Sequence, residues 1–511
     1  MDAQSPKQRN PAPLPETGTA PTGSARDVVT RRDLLRSALV ATGAASVSPG
    51  LLRAQTVDGR ASMSTPVALR LARFLGSTQF DDLPSVAVEH AKMLVVSTLA
   101  SAAVGSRIGS SEIVRALAKE QGGIAEATLW YDGARLPIAQ TARVNAVQSD
   151  SAASDDSDLR NVAHTGTTAV ATGLAAGERV GATGKELLTA IVTGYEAAGR
   201  IGDALVDQPG FHASLIVAFG GVVAAAKLLG LTDEQLAHAI SLTATSMGGL
   251  AIGTNSWARE YHAGNAALTG VNAALAASRG FTANPDMLES RRGFLATFGG
   301  DESNASRLTD GLGAEWDIVT HMAIKLVPGA HAFHPAVEAA VNAARQAAVP
   351  PDRVAQILVS GPAHGAVTGE APPRDLIEAI HSLPYFLASA VADRDFSWVH
   401  ATPAKIASPA MARLIGLVAA DPAPPVVDYA WSWGGTVTIV TTSGERYTST
   451  VDAPRGSGPR GIDWRDVDAK YRALMPDSGL SARRTEQILD LAHGLESVDN
   501  VSELARLLEP E

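Results

Sequence analysis

The sequence predicts a mainly α-helical protein, a large helical body interrupted toward its C-terminal end by a smaller α/β part. Three observations predict it. Small residues are abundant, with 47 glycines and many alanines against 5% aromatics, a composition that lets helices approach closely. From Thr65 to about Thr320 the chain reads as a succession of helical segments with short breaks. After about His321, short β-rich runs alternate with helices, and from Trp464 to Leu508 the helical pattern returns.

Taken in order, residues 1–29 are rich in Pro, Thr, Gly and Ser without an apolar period and read as a disordered tail. Thr30-Arg31-Arg32-Asp33-Leu34-Leu35-Arg36 then precedes a mildly apolar run, Ser37 to Val47, and a Pro49-Gly50 break. Paired arginines before a short hydrophobic stretch read as a twin-arginine export signal, with a disordered basic tail as the other reading. The run is too short to span a bilayer. Cleavage is expected near Ala54–Ala61, so that residues 1–60 are tail and signal and the mature protein is periplasmic or otherwise exported.

Pro84 opens a helix through Met93 to Leu99 in a position that proline tolerates. Thr183-Gly184-Lys185-Glu186 and Thr232-Asp233-Glu234-Gln235 both fit the capping box, in which hydroxyl and acid or amide satisfy orphan amides reciprocally. The first leads into the helical stripe Leu187, Leu188, Ile191, Val192 and Tyr195, the second into Leu236, Ile240 and Met247. Gly177, Gly230 and Gly280 sit where helices are expected to end. Further on, Val354 to Ser360 reads as a strand, and Thr436 to Val451 as two strands around a Ser443-Gly444 turn. Helices near Pro335–Ala348 and Tyr385–Ala392 lie between them.

At 511 residues the chain exceeds one ordinary core, and two domains are expected. Its 45% hydrophobic and 19% charged residues are the balance of a soluble globular protein. A net charge of −11 argues against nucleic acid or an anionic membrane as partner, yet leaves a small anionic substrate open to a local cationic cluster. The chain has no Cys, which removes thiol nucleophiles, disulfides and Cys-type zinc sites and is compatible with an oxidising compartment.

Several residues could carry chemistry. His212 follows Pro209-Gly210 and precedes an apolar helix; the helix dipole disfavours its cation, so it reads either as a neutral base or as a capping histidine. His164 lies between a polar loop and a small-residue helix, where the surroundings alone favour a structural role. Lys325 interrupts Met322-Ala323-Ile324-Lys325-Leu326-Val327; it is either a buried ammonium with a partner or one that snorkels to the surface. Tyr385 follows Pro384 at a helix start and is either a proton donor or core. Arg259-Glu260-Tyr261-His262 places charge and imidazole beside a small-residue helix, an arrangement suited to carboxylate recognition. The acidic stretch 149–158 lacks the glycine and terminal glutamate of a calcium loop, and His331, His334 and Glu338 lack a supporting zinc motif, so no metal is expected.

These segments, in this order, resemble the MmgE/PrpD family, whose members include 2-methylcitrate dehydratase, cis-aconitate decarboxylase and iminodisuccinate epimerase. The resemblance runs from about Thr65 past Trp464 and is clearest in Gly181 to Gly202, Tyr261 to Phe298, His381 to Tyr385 (HSLPY) and Pro454 to Ser457 (PRGS). It implies a helical domain built from both chain ends (61–322 and 454–511), an inserted α/β lid domain (323–453), a cleft site between them and a homodimer. It implies His164, His212, Lys325 and Tyr385 as catalytic residues, and Arg259, His262 and Ser157 as substrate-binding residues, with no cofactor and no metal.

Two departures stand out. Where the family has H-A-L-D-F-D-D-T, this chain has Asp150 in place of the histidine and Ala153 in place of the first carboxylate, and Arg259 replaces a lysine. Both point away from 2-methylcitrate or cis-aconitate as the substrate. The expected chemistry is proton abstraction next to a carboxylate, with His212 or His164 as base, Lys325 and Arg259 facing developing negative charge, and Tyr385 as donor. A hydro-lyase is preferred, with decarboxylase or epimerase as the alternatives within the family and a non-catalytic carboxylate-binding protein as the alternative outside it.

Overall fold

The computed structural model describes residues 65–206, 210–348, 350–367, 371–429 and 431–511. The tail, the twin-arginine segment and its cleavage region lie outside the described residues. The first half of the chain is helical: α1 (Val67–Ser77), α2 (Ser85–Gly105), α3 (Gly109–Gln121), α4 (Ile138–Ser151), α5 (Thr165–Val180), α6 (Gly184–Leu205), α7 (Ser214–Leu228), α8 (Asp233–Ser246) and α9 (Ala258–Ala277). Helix α2 is long and apolar enough to cross a membrane by length and composition, but 89% of that stretch is buried inside the protein, which makes it a core helix here. Both expected capping boxes form, Thr183 with Glu186 at α6 and Thr232 with Gln235 at α8. Gly230 and Gly280 follow α7 and α9 with positive φ, as expected. Gly177 does not end its helix: α5 continues to Val180 and is closed by left-handed Gly181. Gly177 serves close approach instead, since a Cβ there would come within 2.9 Å of Val501. The same principle builds the centre, where α5, α6 and α9 surround α7. A Cβ on Gly194 of α6 would lie 2.6 Å from Gly220 O of α7, so only glycine allows the two backbones to touch.

Among the described residues four of the eight strands form short two-stranded ribbons. β1 (Ala127–Thr128) pairs with β2 (Arg135–Leu136), and β3 (Asp156–Asp158) pairs antiparallel with β4 (Met322–Ile324), joining segments far apart in sequence. Beyond β4 come α10 (His334–Ala347), β5 (Val354–Ser360), α11 (Leu383–Asp393), β6 (Val418–Ala420), β7 (Gly435–Thr441) and β8 (Arg446–Val451). The last four strands form one sheet in the order β6-β5-β7-β8, parallel only between β5 and β6, and α10 packs on β7 and β8. The chain then returns to helix in α12 (Trp464–Leu474) and α13 (Ala482–His493).

The described residues form one compact unit with two main apolar clusters. One gathers residues from Val67 to Leu326 and again from Ile462 to Leu508; the other gathers Val327 to Val451. The outgoing and returning chains run side by side where they cross: Ile324 N donates to Gly456 O at 2.9 Å, and Ala323 bridges Ser457. The β3–β4 ribbon lies at this crossing.

Candidate active site

Helix α4 ends at Ser151, and the chain turns through Ala153, whose φ of 47° is left-handed, before entering β3. Backbone bonds tie this turn to the outgoing chain: Lys325 N donates to Asp155 O at 3.1 Å and Gly329 N to Ala153 O at 2.9 Å. Asp155 and Lys325 are thereby set against each other. Lys325 Nζ donates to Asp155 Oδ1 at 2.6 Å, both groups being buried, while Asp155 Oδ2 lies 3.2 Å from His164 Nδ1. The neighbouring ammonium and imidazole hold the Asp155 carboxyl down near 2 despite its burial.

His164 stands at the N-terminus of α5, its Nδ1 donating to Asp156 O at 2.7 Å. A carbonyl only accepts, so the Nδ1 proton is fixed and Nε2 keeps a lone pair. Ser157 Oγ is 3.4 Å from the same Nδ1 and fully buried, so Ser157 backs His164. His212 has the opposite tautomer: its Nδ1 accepts from Ser214 N at 3.1 Å, which leaves the proton on Nε2. Burial, with His164, His262 and Arg259 nearby, pushes the His212 imidazole down to about 3; burial likewise lowers His164, with Asp155 opposing. Asp156, just behind, is pushed up to about 7 by burial and by Asp155, and it accepts from Tyr195 OH and Gly166 N at 3.0 Å each.

A cavity of about 260 Å³ opens beside this network, lined by His164, His212, Arg259 and Lys325, with Ala153, His331 and His381. Arg259 Nη2 donates to Asp150 O at 2.7 Å, and its Nε lies 3.2 Å from Asp150 Oδ2. Thus two of the three residues that depart from the family pattern, Asp150 and Arg259, form an ion pair with each other. Asp150, Asp155 and His164 bring ligand atoms within 4.8 Å of one another, but each carboxylate already faces a cation, Arg259 or Lys325, which a metal ion would have to displace. The other metal set fails for a different reason, since the Glu338 carboxylate is taken by Arg460 at 2.6 and 3.0 Å.

The structure brings together His164, His212, Arg259 and Lys325, but Tyr385 does not line the cavity. Its hydroxyl donates to His400 O at 2.7 Å inside the second apolar cluster, because the face of α11 that carries it packs inward. His262 lies one ring behind His212, 5.4 Å between centroids, and lines a separate pocket with Gly249 and Asn265. Three residues of the site escaped the sequence reading, and two of them, His331 and His381, line the cavity. Asp155 was visible only as part of an acidic stretch. His381 opens HSLPY; its Nδ1 donates to Ile377 O at 2.9 Å, and burial lowers it to about 4. His331 was weighed only as a metal ligand, yet both its ring nitrogens are buried without a partner among the described residues.

The family model for the MmgE/PrpD N-terminal domain matches residues 69–306, and that for the C-terminal domain matches residues 328–495. The chain belongs to the MmgE/PrpD family. Its relatives there include cis-aconitate decarboxylase of Aspergillus terreus, 26% identical over 484 residues that cover 89% of this chain and 98% of the relative. The cis-aconitate decarboxylase of Homo sapiens is 24% identical over 439 residues, 83% of this chain and 90% of the relative. That of Mus musculus is 25% identical over 344 residues, 64% and 68% respectively. The first match contains β3, Asp155 and His164, while β4 and Lys325 fall in the short stretch between the two matches.

Proposed function

We propose that this MmgE/PrpD protein is a lyase that removes CO₂ from a small polycarboxylate and protonates the carbon left behind, without a metal or cofactor. One observation carries the reading: a buried carboxylate, Asp155, joins an ammonium and an imidazole at the wall of a cavity that also presents Arg259 and His212. In this scheme the carbon–carboxylate bond breaks, CO₂ leaves, and the electron pair stays on carbon, conjugated with a remaining carboxylate. Lys325 and Arg259 face that charge. His164 handles the proton. Asp155 stabilises its imidazolium, the Nε2 proton passes to carbon, and the neutral ring is reloaded from solvent. His212 has no carboxylate partner and stays neutral; its Nε2–H serves as a hydrogen-bond donor to an oxyanion.

The carboxy-lyase reading is preferred to the hydro-lyase one on two grounds. The relatives named above are decarboxylases, and Tyr385, the group that would assist a departing hydroxide, is turned into the second cluster. The Asp150–Arg259 pair supports a polycarboxylate other than cis-aconitate, because part of the cationic capacity is already neutralised. Cavity residues come from both apolar clusters, His164 and His212 on one side and Gly329 to His331 with His381 on the other. We therefore propose that the 323–453 segment acts as a lid that closes over substrate. The homodimer and twin-arginine export remain part of the proposal.

The test is incubation with a panel of unsaturated and hydroxylated polycarboxylates, cis-aconitate included, in deuterated water, followed by proton NMR. The expected result is one deuterium at the carbon that loses CO₂, with His164→Gln slower by roughly 10²–10⁴-fold. Binding of panel members by the parent without turnover or exchange overturns the enzyme reading in favour of a carboxylate-binding protein.

A further inference from the structure

Lys470 lies on α12, in the returning part of the chain, and its side chain is 2% exposed. Its Nζ donates to Ser97 Oγ of α2 at 2.7 Å and to Ser154 O, and it stands 5.7 Å from the Trp398 ring centroid. None of these partners is a carboxylate. An ammonium buried without a directly bonded anion is costly, and packing alone would be met as well by methionine. Ser154 O belongs to the peptide that leads into Asp155. The same turn is held by Ser154 Oγ, 2.7 Å from Ser101 Oγ, which in turn donates to Ser149 O at 2.6 Å.

We infer that Lys470 is a positioning residue of the active site, fixing the Ser154–Asp155 peptide from behind and placing a positive charge beside Asp155. The charged and titratable groups it faces are Asp155 and Asp156 from the β3 strand and its approach, Lys325 after β4, and His331 and His334 at the start of α10. Asp155 faces Lys325 as its directly bonded cation, so Lys470 adds a second positive charge on the side of the Ser154–Asp155 peptide away from Lys325. Its burial pulls its own ammonium down to about 7, so that charge is partial at neutral pH and complete below it. Removing the charge leaves Asp155, which lies 3.2 Å from His164 Nδ1, less compensated, so the His164 imidazolium forms more easily and the limb of the pH profile that it controls moves upward.

This inference rests on the lyase reading, and the experiment separates the two. The kcat/KM–pH profile is measured for the parent, Lys470→Met, Lys470→Gln and Ser97→Ala, each with a thermal melt. For Lys470→Met, kcat falls about 10-fold or more while KM changes less than about 3-fold, and the histidine-controlled limb rises by about one pH unit. Lys470→Gln keeps a donor to Ser154 O and recovers part of kcat, but its limb stays shifted. Should neither lysine variant fold, Ser97→Ala still decides: it removes one acceptor of the ammonium and moves the limb the same way by less. A folded lysine variant whose profile superimposes on that of an active parent overturns the inference, as does an unmoved Ser97→Ala profile when neither lysine variant folds. A parent inactive on every polycarboxylate overturns the lyase reading and this inference with it.

Discussion

Asp155 divides its two oxygens between Lys325 and His164, and this division sets what each of the three can do. Removing the ammonium leaves a buried carboxylate without its directly bonded cation, held only by the His164 imidazole and the Thr167 hydroxyl. Lys325→Met is therefore expected to lose about 3–5 kcal/mol in a denaturant melt, and Asp155→Asn in the same background to restore much of it. Turnover falls by about two orders of magnitude in both, because the oxyanion partner is gone. The histidine makes a pH prediction with a definite sign. Burial lowers His164 below its ordinary value near 6.5, so the free enzyme holds it neutral at pH 7. A carboxy-lyase needs the imidazolium to deliver its proton, so kcat/KM climbs as pH falls from 7 toward 5. A hydro-lyase needs the neutral base and gains nothing as the pH falls, so the direction of the profile discriminates between the two reactions.

At the scale of elements, α11 carries the sharpest revision. Tyr385 begins a helix after Pro384, as HSLPY implies, yet its hydroxyl caps the His400 carbonyl rather than the cavity. Tyr385→Phe is expected to keep kcat within about 3-fold and to lose about 1 kcal/mol of stability, the usual worth of one internal hydrogen bond. A 100-fold fall in kcat in a folded variant would return the phenol to the mechanism. What sequence could show follows from range. The capping boxes at Thr183 and Thr232, the strand Val354–Ser360 and the turn at Gly444 are set by residues a few positions apart, and all were legible. The β3–β4 ribbon was not, because each strand is three residues long and exists only through a partner more than 160 residues away. Lys325 could therefore be singled out as an unusual lysine, while its carboxylate partner remained hidden in an acidic run. Gly177 misled for a related reason: its requirement comes from Val501, not from its own helix.

For the whole molecule, the two apolar clusters explain why site residues come from opposite ends of the chain. Lys325 sits at the outward crossing between clusters and Lys470 on the helix after the return, so one small ribbon and one helix deliver both cations to Asp155. The surface offers a place for the proposed second copy. Ile252, 90% exposed, lies close in sequence to the exposed Leu250, Trp257 and Tyr261, and exposed apolar residues of this kind are where the proposed second copy would dock. Light scattering after size exclusion is expected to give twice the chain mass, and Ile252→Glu to give the monomer; a monomeric parent would contradict the dimer.

The central claim is that one cavity gathers His164, His212, Arg259 and Lys325 around a polycarboxylate. A crystal structure with a slowly turned-over polycarboxylate bound tests it most directly. Ligand carboxylates are expected within hydrogen-bond distance of Lys325 and Arg259, with a ligand carbon facing His164 Nε2 and Tyr385 still bonded to His400 O. A ligand seated away from these four residues, with the 260 Å³ cavity empty, would contradict it.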